Sequence, residues 1–554
     1  MVHGGDPVDL LDLEPVLERL RERIQDPGYV PSLVKRLLID NPHRVTLTLA
    51  PDSQLHERRE AAIRQALEEQ RRALDENQAQ AIVDQALALQ ERQAQEDDHS
   101  QLPRVGIEDV PASLSLPEGE DDDELSATLY RTGTNGLVYQ QVVAPLPSLD
   151  ADQRQLLPLY TSILTELGAG DLDYLRMQDR ISACSGGINA SATVKGNVDD
   201  VQQVSGYFTL GGKALASNGA DLVALLSDVY SRPHFDDPDR VRELVAQMRA
   251  RREQAITGNG HMLAMGAAAQ GASPGAKLSY ELAGLAGIRH LVGLDDALAD
   301  EGQASDLCRR LSELHDRIIS QSLRFLLVGE QSGLEQSREA LRARWGGFEA
   351  GQAEGFTLDP VHEQVNQAWL TSTQVNFCAR AFPTVPVEHE DAPALTVLGV
   401  LLRNDFLHRH IREQGGAYGS GAGQDSSNGV FRFFSYRDPR LEETLSDFDA
   451  SLAWVQDHEH SPESVEEAIL GVISQLDRPR SPAGEARHAY HSRLFGRTSE
   501  QQQRFRERVL GVTLADMRKA AQRWLDPANA STAVVTSYGN RERLKGLGMS
   551  IEEI

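Results

Sequence analysis

Apolar positions along this 554-residue chain switch between helical and alternating spacing, and each switch marks an element. Leu401, Leu402, Phe406, Leu407 and Ile411 fall at helical spacing, which predicts an amphipathic helix ending near Gln414. Gly415 and Gly416 stop it, because a glycine just past a helix end takes the left-handed cap conformation at little cost. Strand-like runs lie on either side, at 374–382 and within 415–436, and a helix is expected from 392 onward. Further helices are expected at 439–458, 462–475, 501–509 and 514–525, with a last strand at 531–537. An earlier stretch runs in the same order. From Tyr130, YRTGTNGLVYQQVVAP holds two strand-like runs separated by a Thr134-Asn135-Gly136 turn. A helix at 155–167 comes next, then a glycine turn and an alternating strand in CSGGINASATVKG (184–196). Helices at 208–230 and 238–255, a small-residue loop and helix at 264–287, and a strand at 322–328 follow. The recurrence is an internal repeat with a period of roughly 200 residues. It predicts an α+β chain with two related α/β sandwich domains, 125–350 and 351–554, each an antiparallel sheet covered by helices.

The first 124 residues read differently. Residues 1–24 go straight into helix, with Asp12 and Glu14 near its start and Arg19, Arg21 and Arg23 toward its end, the order the helix dipole favours. After a second helix at 32–39, NPHRVTLTLA (41–50) alternates Val45, Leu47 and Leu49 like a strand. It has no hairpin mate nearby, so 1–51 is expected to be the tail of a preceding domain whose other strands lie before Met1. Residues 55–97 lack Gly and Pro and are rich in helix formers. The capping box Asp75-Glu76-Asn77-Gln78 breaks that run into two helices, a helical-hairpin linker. An acidic connector with Pro103, Pro111 and Pro117 completes the linker region, 52–124.

Composition narrows the partners. A net charge of -28 argues against nucleic acid, which needs a basic surface, and suits solubility or the steering of basic peptides. No apolar run approaches bilayer length, so no membrane partner is expected. Cys184, Cys308 and Cys378 are odd in number and far apart, which fits buried thiols in a reducing compartment. With an acidic, Gly-rich start in place of a signal peptide, the expected location is cytoplasmic.

The candidate chemistry sits at the end of the 401–414 helix. Arg412 lies in its last turn and Tyr418 follows six positions later, across the Gly-Gly turn. Both donate hydrogen bonds and could converge on a peptide carbonyl or on the oxyanion formed when it is attacked. Alternatively, Arg412 pairs with the helix C-terminus and Tyr418 is a half-buried strand residue. The segment R-E-Q-G-G-A-Y-G (412–419) resembles the last domain of pitrilysin/insulinase-type zinc peptidases, and most of all the presequence-protease branch. G-G-I-N-A-S (186–191), the HGGDP entry (3–7), the NPHRVTLT segment and the helical hairpin extend the resemblance over essentially the whole chain. The resemblance implies the C-terminal half of such an enzyme, carrying the linker and the third and fourth of four related domains. Arg412 and Tyr418 would then hold the substrate and its tetrahedral intermediate inside a closed chamber that degrades short unstructured peptides. Gly186, Gly187 and Asn189, at a strand edge able to receive a peptide by β-augmentation, would add substrate contacts; the same glycines also read as a plain turn into a strand.

Such a peptidase needs H-x-x-E-H on a helix. His56-Glu57 and His362-Glu363 start the forward motif but meet Glu60 and Asn366, and His410–Glu413 meets Gln414 in the inverted one. His458 and His460 are too close in sequence to ligate from one helical face, and 155–167, where the domain parallel places the zinc helix, contains no His. No metal site is therefore expected in this chain, and zinc would be held by an N-terminal half as partner. Gly271–Gly275 matches a G-x-S-x-G elbow around Ser273, but Pro274 lacks the N–H that an oxyanion donor requires. The alternative function is a non-catalytic peptide-binding or scaffolding subunit of a pitrilysin-type heterodimer.

Overall fold

The computed structural model describes residues 4–6, 8, 11–52, 54–94, 104–346 and 355–554, so His3 and Pro7 of the 3–7 entry segment lie outside the described residues. The chain divides into two compact units, Met1–Pro103 and Arg104–Ile554. In the first unit, helices Glu14–Arg23 and Tyr29–Val34, the latter continuing as a π-turn over Lys35–Ile39, precede two longer helices, Leu55–Ala73 and Glu76–Ala94. The break between the long helices is the expected capping box. The Gln78 N–H donates to the Asp75 carboxylate at 2.8 Å, and the Asp75 N–H to the Gln78 side chain at 3.1 Å. The strand expected at 41–50 does not form. Its alternating Val45, Leu47 and Leu49 are 84%, 79% and 88% exposed, because none of the described residues supplies a strand to pair with.

Two six-stranded sheets build the second unit. The first comprises β1 (Glu120–Asp122), β2 (Ala127–Arg131), β3 (Leu137–Pro145), β4 (Ile188–Gly196), β5 (Val204–Leu215) and β6 (Arg324–Gly329). Their order is β1-β2-β6-β3-β5-β4. The second comprises β7 (Asn366–Thr371), β8 (Phe377–Pro383), β9 (Gly419–Asp425), β10 (Val430–Tyr436), β11 (Ser531–Ser537) and β12 (Ser550–Glu553). Here the order is β12-β7-β11-β8-β10-β9. Setting aside β1 and β12, the orders match strand for strand, β2-β6-β3-β5-β4 against β7-β11-β8-β10-β9, so the sequence repeat is a repeat of topology. In each, one pair (β2 with β6, β7 with β11) is parallel and the next three are antiparallel.

Several local expectations change. The turn at Thr134–Gly136 forms, with Asn135 at φ 53° and Gly136 at φ 76°, but β6 inserts between β2 and β3, so no hairpin results. Residues 208–215, expected as helix, continue β5, with Phe208, Leu210 and Ala214 alternating into the core; the helix starts at Gly219. The 264–287 loop and helix are three helices, Gly260–Ala269, Pro274–Ala283 and Leu285–Ala297. Strands β7 and β12 and helices Glu301–Ile319 and Pro482–Leu494 were not expected.

The two sheets also exchange helices. Gly260–Ala269, from the first repeat, packs Ala264, Ala267 and Ala268 against Phe377, Ala379, Ala533 and Val535 of the second sheet. A Cβ on Gly260 would overlap the Phe377 ring, so only glycine permits that approach. In return, Pro482–Leu494, from the second repeat, lays Ala483, Ala486 and Tyr490 on Tyr130, Val143, Leu326 and Val328 of the first. Each sheet thus buries one face with a helix of the other repeat, beyond its own core. The connector at 104–116 is held by the fully buried Arg506, which donates to the Pro111 carbonyl at 2.7 Å and to Asp477 at 2.7 Å.

Candidate functional site

The helix Ala392–Leu401 continues without a break into a π-wound segment, Leu402–Gln414. Wider i→i+5 winding is rare and tends to mark functional positions. Leu402, Phe406, Leu407 and Ile411 are buried on its inner face, which turns His408 and Arg412 outward. The end is closed by the Gly416 N–H to the Arg412 carbonyl at 3.1 Å and the Ala417 N–H to the Ile411 carbonyl at 3.0 Å. Gly416, at φ 81°, is the left-handed residue. The chain then enters β9, and the Tyr418 N–H donates to the Tyr436 carbonyl at 3.0 Å, pinning Tyr418 to the end of β10.

Arg412 and Tyr418 line one open cavity of about 660 Å³, together with His408, Glu413 and Arg437. Tyr418 is 71% exposed, so it is not a half-buried strand residue; its ring stands edge-on to Tyr436 at 5.5 Å. Nor is Arg412 the helix cap. That role falls to Arg440, which donates to the His410 carbonyl at 3.2 Å and pairs with Asp447 at 2.9 Å. The Arg412 guanidinium instead donates to Nε2 of His408 at 3.0 Å. Because a guanidinium only donates, Nε2 must accept, which places the ring proton on Nδ1, 3.5 Å from Glu413. The outcome is a chain from Glu413 through His408 to a guanidinium with further N–H groups facing the cavity.

Arg437 and His408 escaped the sequence reading. Arg437 stands at φ 51°, one of three non-glycine residues in the left-handed region among those described. That strain is held by the Asn376–Asp438 bridge (2.8 and 2.9 Å) and by Asp438, whose carboxylate accepts from Thr444 at 2.7 Å and from the Arg440 N–H at 2.9 Å. Burial pushes the Asp438 carboxyl up. The local signal, an Arg just past an alternating run, is too common to single out.

Gly186, Gly187 and Asn189 do not line this cavity. Gly187, at φ 95°, makes the turn from helix Tyr174–Cys184 into β4, and Asn189 is exposed on that strand. The implied zinc finds no fit among the described residues. Among the described residues no three His, Cys, Asp or Glu side chains converge as ligands. His410 stacks on Phe406 at 3.8 Å and holds the Phe406 carbonyl, while His458 and His460 pack around Trp454. Ser273 is buried and caps helix Pro274–Ala283, which removes it as a nucleophile.

Residues 49–294 match the family of the associated domain of M16 peptidases, subfamily C, and residues 366–537 match the PreP C-terminal domain. The mitochondrial presequence protease of Danio rerio is 29% identical over 94% of this chain and 53% of its own length. That of Emericella nidulans is 30% identical over 94% of this chain and 51% of its own. The chain belongs to the presequence-protease branch of the M16 peptidases. It spans about half the length of the curated relatives it matches and corresponds to their C-terminal half. Solved structures share the fold of this M16 chain. A conserved protein from Enterococcus faecalis V583 aligns with a TM-score of 0.56 at 13% identity, covering 76% of this chain and 98% of its own. A peptidase M16 inactive domain from Pseudomonas fluorescens aligns at 0.52 and 13%, over 76% and 98%. The expected cytoplasmic location is corrected by the relatives, which are named as mitochondrial proteins. Unpaired cysteines report a reducing environment, and that property does not single out the cytoplasm. Among the described residues no helix is long and apolar enough to cross a membrane.

Proposed function

We propose that this chain is the substrate-gripping half of a zinc metalloendopeptidase that degrades short unstructured peptides in a closed chamber, the zinc being held by an N-terminal half. The observation carrying this reading is that Arg412 and Tyr418 share one open cavity while Arg440 relieves Arg412 of capping the helix. In the assembled enzyme, Arg412 and Tyr418 bind the carbonyl oxygen of the peptide bond to be cut and donate to it more strongly as negative charge develops there. His408 and Glu413 are positioning residues that aim the guanidinium. The third and fourth domains of that enzyme are 125–350 and 351–554. Gly186, Gly187 and Asn189 contribute substrate contacts on a separate surface. By itself the chain does not hydrolyse peptides.

The test mixes this chain with a zinc-bearing N-terminal half and a quenched peptide. Turnover appears only in the mixture and falls about a hundredfold or more in Arg412→Ala and in Tyr418→Phe, the usual loss of one oxyanion donor. Undiminished turnover in both variants refutes the roles. Peptide binding with no turnover in any mixture supports the second reading, a non-catalytic subunit, whose counterpart is the inactive M16 domain sharing this fold.

A further inference from the structure

β4 is the last strand of the first sheet, with no further strand beside it among the described residues. Its pairing with β5 shows which of its backbone groups are free. The Asn197 N–H bonds to the Gln203 carbonyl at 2.9 Å, so odd-numbered residues face β5 in the alternating antiparallel pattern. Even-numbered residues face the other way. Gly196 confirms this by donating outward to the Ser427 carbonyl at 3.2 Å, from the turn between β9 and β10. The N–H and C=O groups of Ala190, Ala192 and Val194 therefore point off the sheet edge. They open on a cavity of about 610 Å³, whose floor is apolar, with Leu157, Met248, Leu278 and Leu282. Arg251 and Arg252 also line it, and among the described residues neither is paired with a carboxylate; Arg252 donates only to the Ala283 carbonyl, at 3.3 Å.

We propose that the β4 edge from Ala190 to Val194 binds an extended peptide as a seventh strand of the first sheet. The peptide has apolar side chains at alternate positions and a carboxylate, acidic residue or free C-terminus, against Arg251 and Arg252. Pairing along an edge supplies affinity from main-chain hydrogen bonds, and the pockets beneath supply selectivity. Five residues at about 3.3 Å each give a ledge of roughly 16 Å, enough for a short segment. The edge is recessed between helices Ala151–Ile163 and Pro274–Ala283, so a single strand fits where the sheet of a second copy would collide with them. In a chain of net charge -28, two guanidinium groups at the ledge without carboxylate partners among the described residues select for a carboxylate by charge complementarity. The topology adds a second argument. β4 and β9 hold the same place in the two repeats, each entered through a Gly-Gly turn whose second glycine is left-handed, at φ 95° in Gly187 and 81° in Gly416. The proposal deepens the peptide-handling reading above and rests on it.

The probe is a fluorescein-labelled eight-residue peptide of alternating Val and Thr ending in Asp with a free C-terminus, titrated against the full chain by fluorescence polarisation. Ala192→Pro removes one outward donor without touching a β4–β5 bond, which an edge strand tolerates. It should weaken binding about tenfold or more, as loss of a backbone hydrogen bond plus a steric block implies, with an unchanged circular dichroism spectrum. Arg251→Glu should weaken the acid-ended peptide similarly and leave an amidated, Asn-ended analogue unaffected. With the unaltered chain, methylating alternate backbone nitrogens of the peptide should abolish binding, a result independent of how any variant folds. Hydrogen exchange should slow at Ala190, Ala192 and Val194 in both the unaltered chain and Arg412→Ala. That protection separates this site from the Arg412–Tyr418 grip, whose failure shows only in turnover by the assembled enzyme. Equal binding to Ala192→Pro, equal binding of the methylated peptide, or protection confined to 419–425 overturns the proposal.

Discussion

Arg440 reaches over Gly415 to the His410 carbonyl, so closely that a Cβ on Gly415 would overlap its guanidinium. One arginine closes the helix end, and the other, Arg412, is left facing the cavity.

Gly415→Ala should therefore destabilise the chain by about 1–3 kcal/mol, the usual cost of overpacking. In an Arg440→Ala background, where the clash is gone, the same substitution should cost much less. A double-mutant cycle by urea denaturation measures the coupling; additive effects would show that the two residues do not meet.

Arg437 is predicted to trade stability for function. Replacing it with glycine removes the left-handed strain at φ 51° and should stabilise the chain by up to about 1 kcal/mol. The same change deletes a guanidinium from the cavity and should raise KM in the assembled enzyme. Thermal unfolding and steady-state kinetics should move in opposite directions.

His315 predicts an acid sensitivity. Its Nδ1 lies 2.9 Å from the Tyr160 hydroxyl, and burial lowers its pKa from 6.5 to about 4. Between those values the unfolded chain binds the proton and the folded chain does not, so stability falls as pH drops from about 6.5 to about 4 and flattens below. The loss from this group is on the order of 3 kcal/mol. His491, likewise lowered to about 4 by burial, adds a loss of the same sign. His315→Gln keeps a hydrogen-bonding side chain without the titration. The difference between its urea midpoints and those of the unaltered chain should shrink between pH 7 and pH 4.5.

Arg506→Met leaves Asp477 and the Pro111 carbonyl without their buried donor. It should cost about 3–5 kcal/mol and release the connector at 104–116 to limited proteolysis, seen as early cleavage there by mass spectrometry.

Much of the fold was readable because it is local. Alternation marked β3, β4, β10 and β11, and the Asp75–Gln78 box placed the break between the long helices from four adjacent residues. Arg412 and Tyr418 could be singled out because only a Gly-Gly turn separates them. His408 was hidden in the same helix, since nothing in a list of residues shows that its Nε2 meets Arg412. Arg437 and Arg440 reach the site only through the pairing of β9 with β10, which sets Tyr436 opposite Gly419.

The order of residues by itself determined the repeated α/β plan, the glycine turns and the absence of an H-x-x-E-H helix, since each follows from spacing within a few turns of chain. Tertiary structure alone decided that β6 divides β2 from β3, that the two repeats trade helices Gly260–Ala269 and Pro482–Leu494, and that β4, among the described residues, keeps a bare edge beside two arginines without carboxylate partners. Those outcomes depend on which apolar faces meet across hundreds of residues, and hydrophobic burial specifies that a face be covered without naming the segment that covers it.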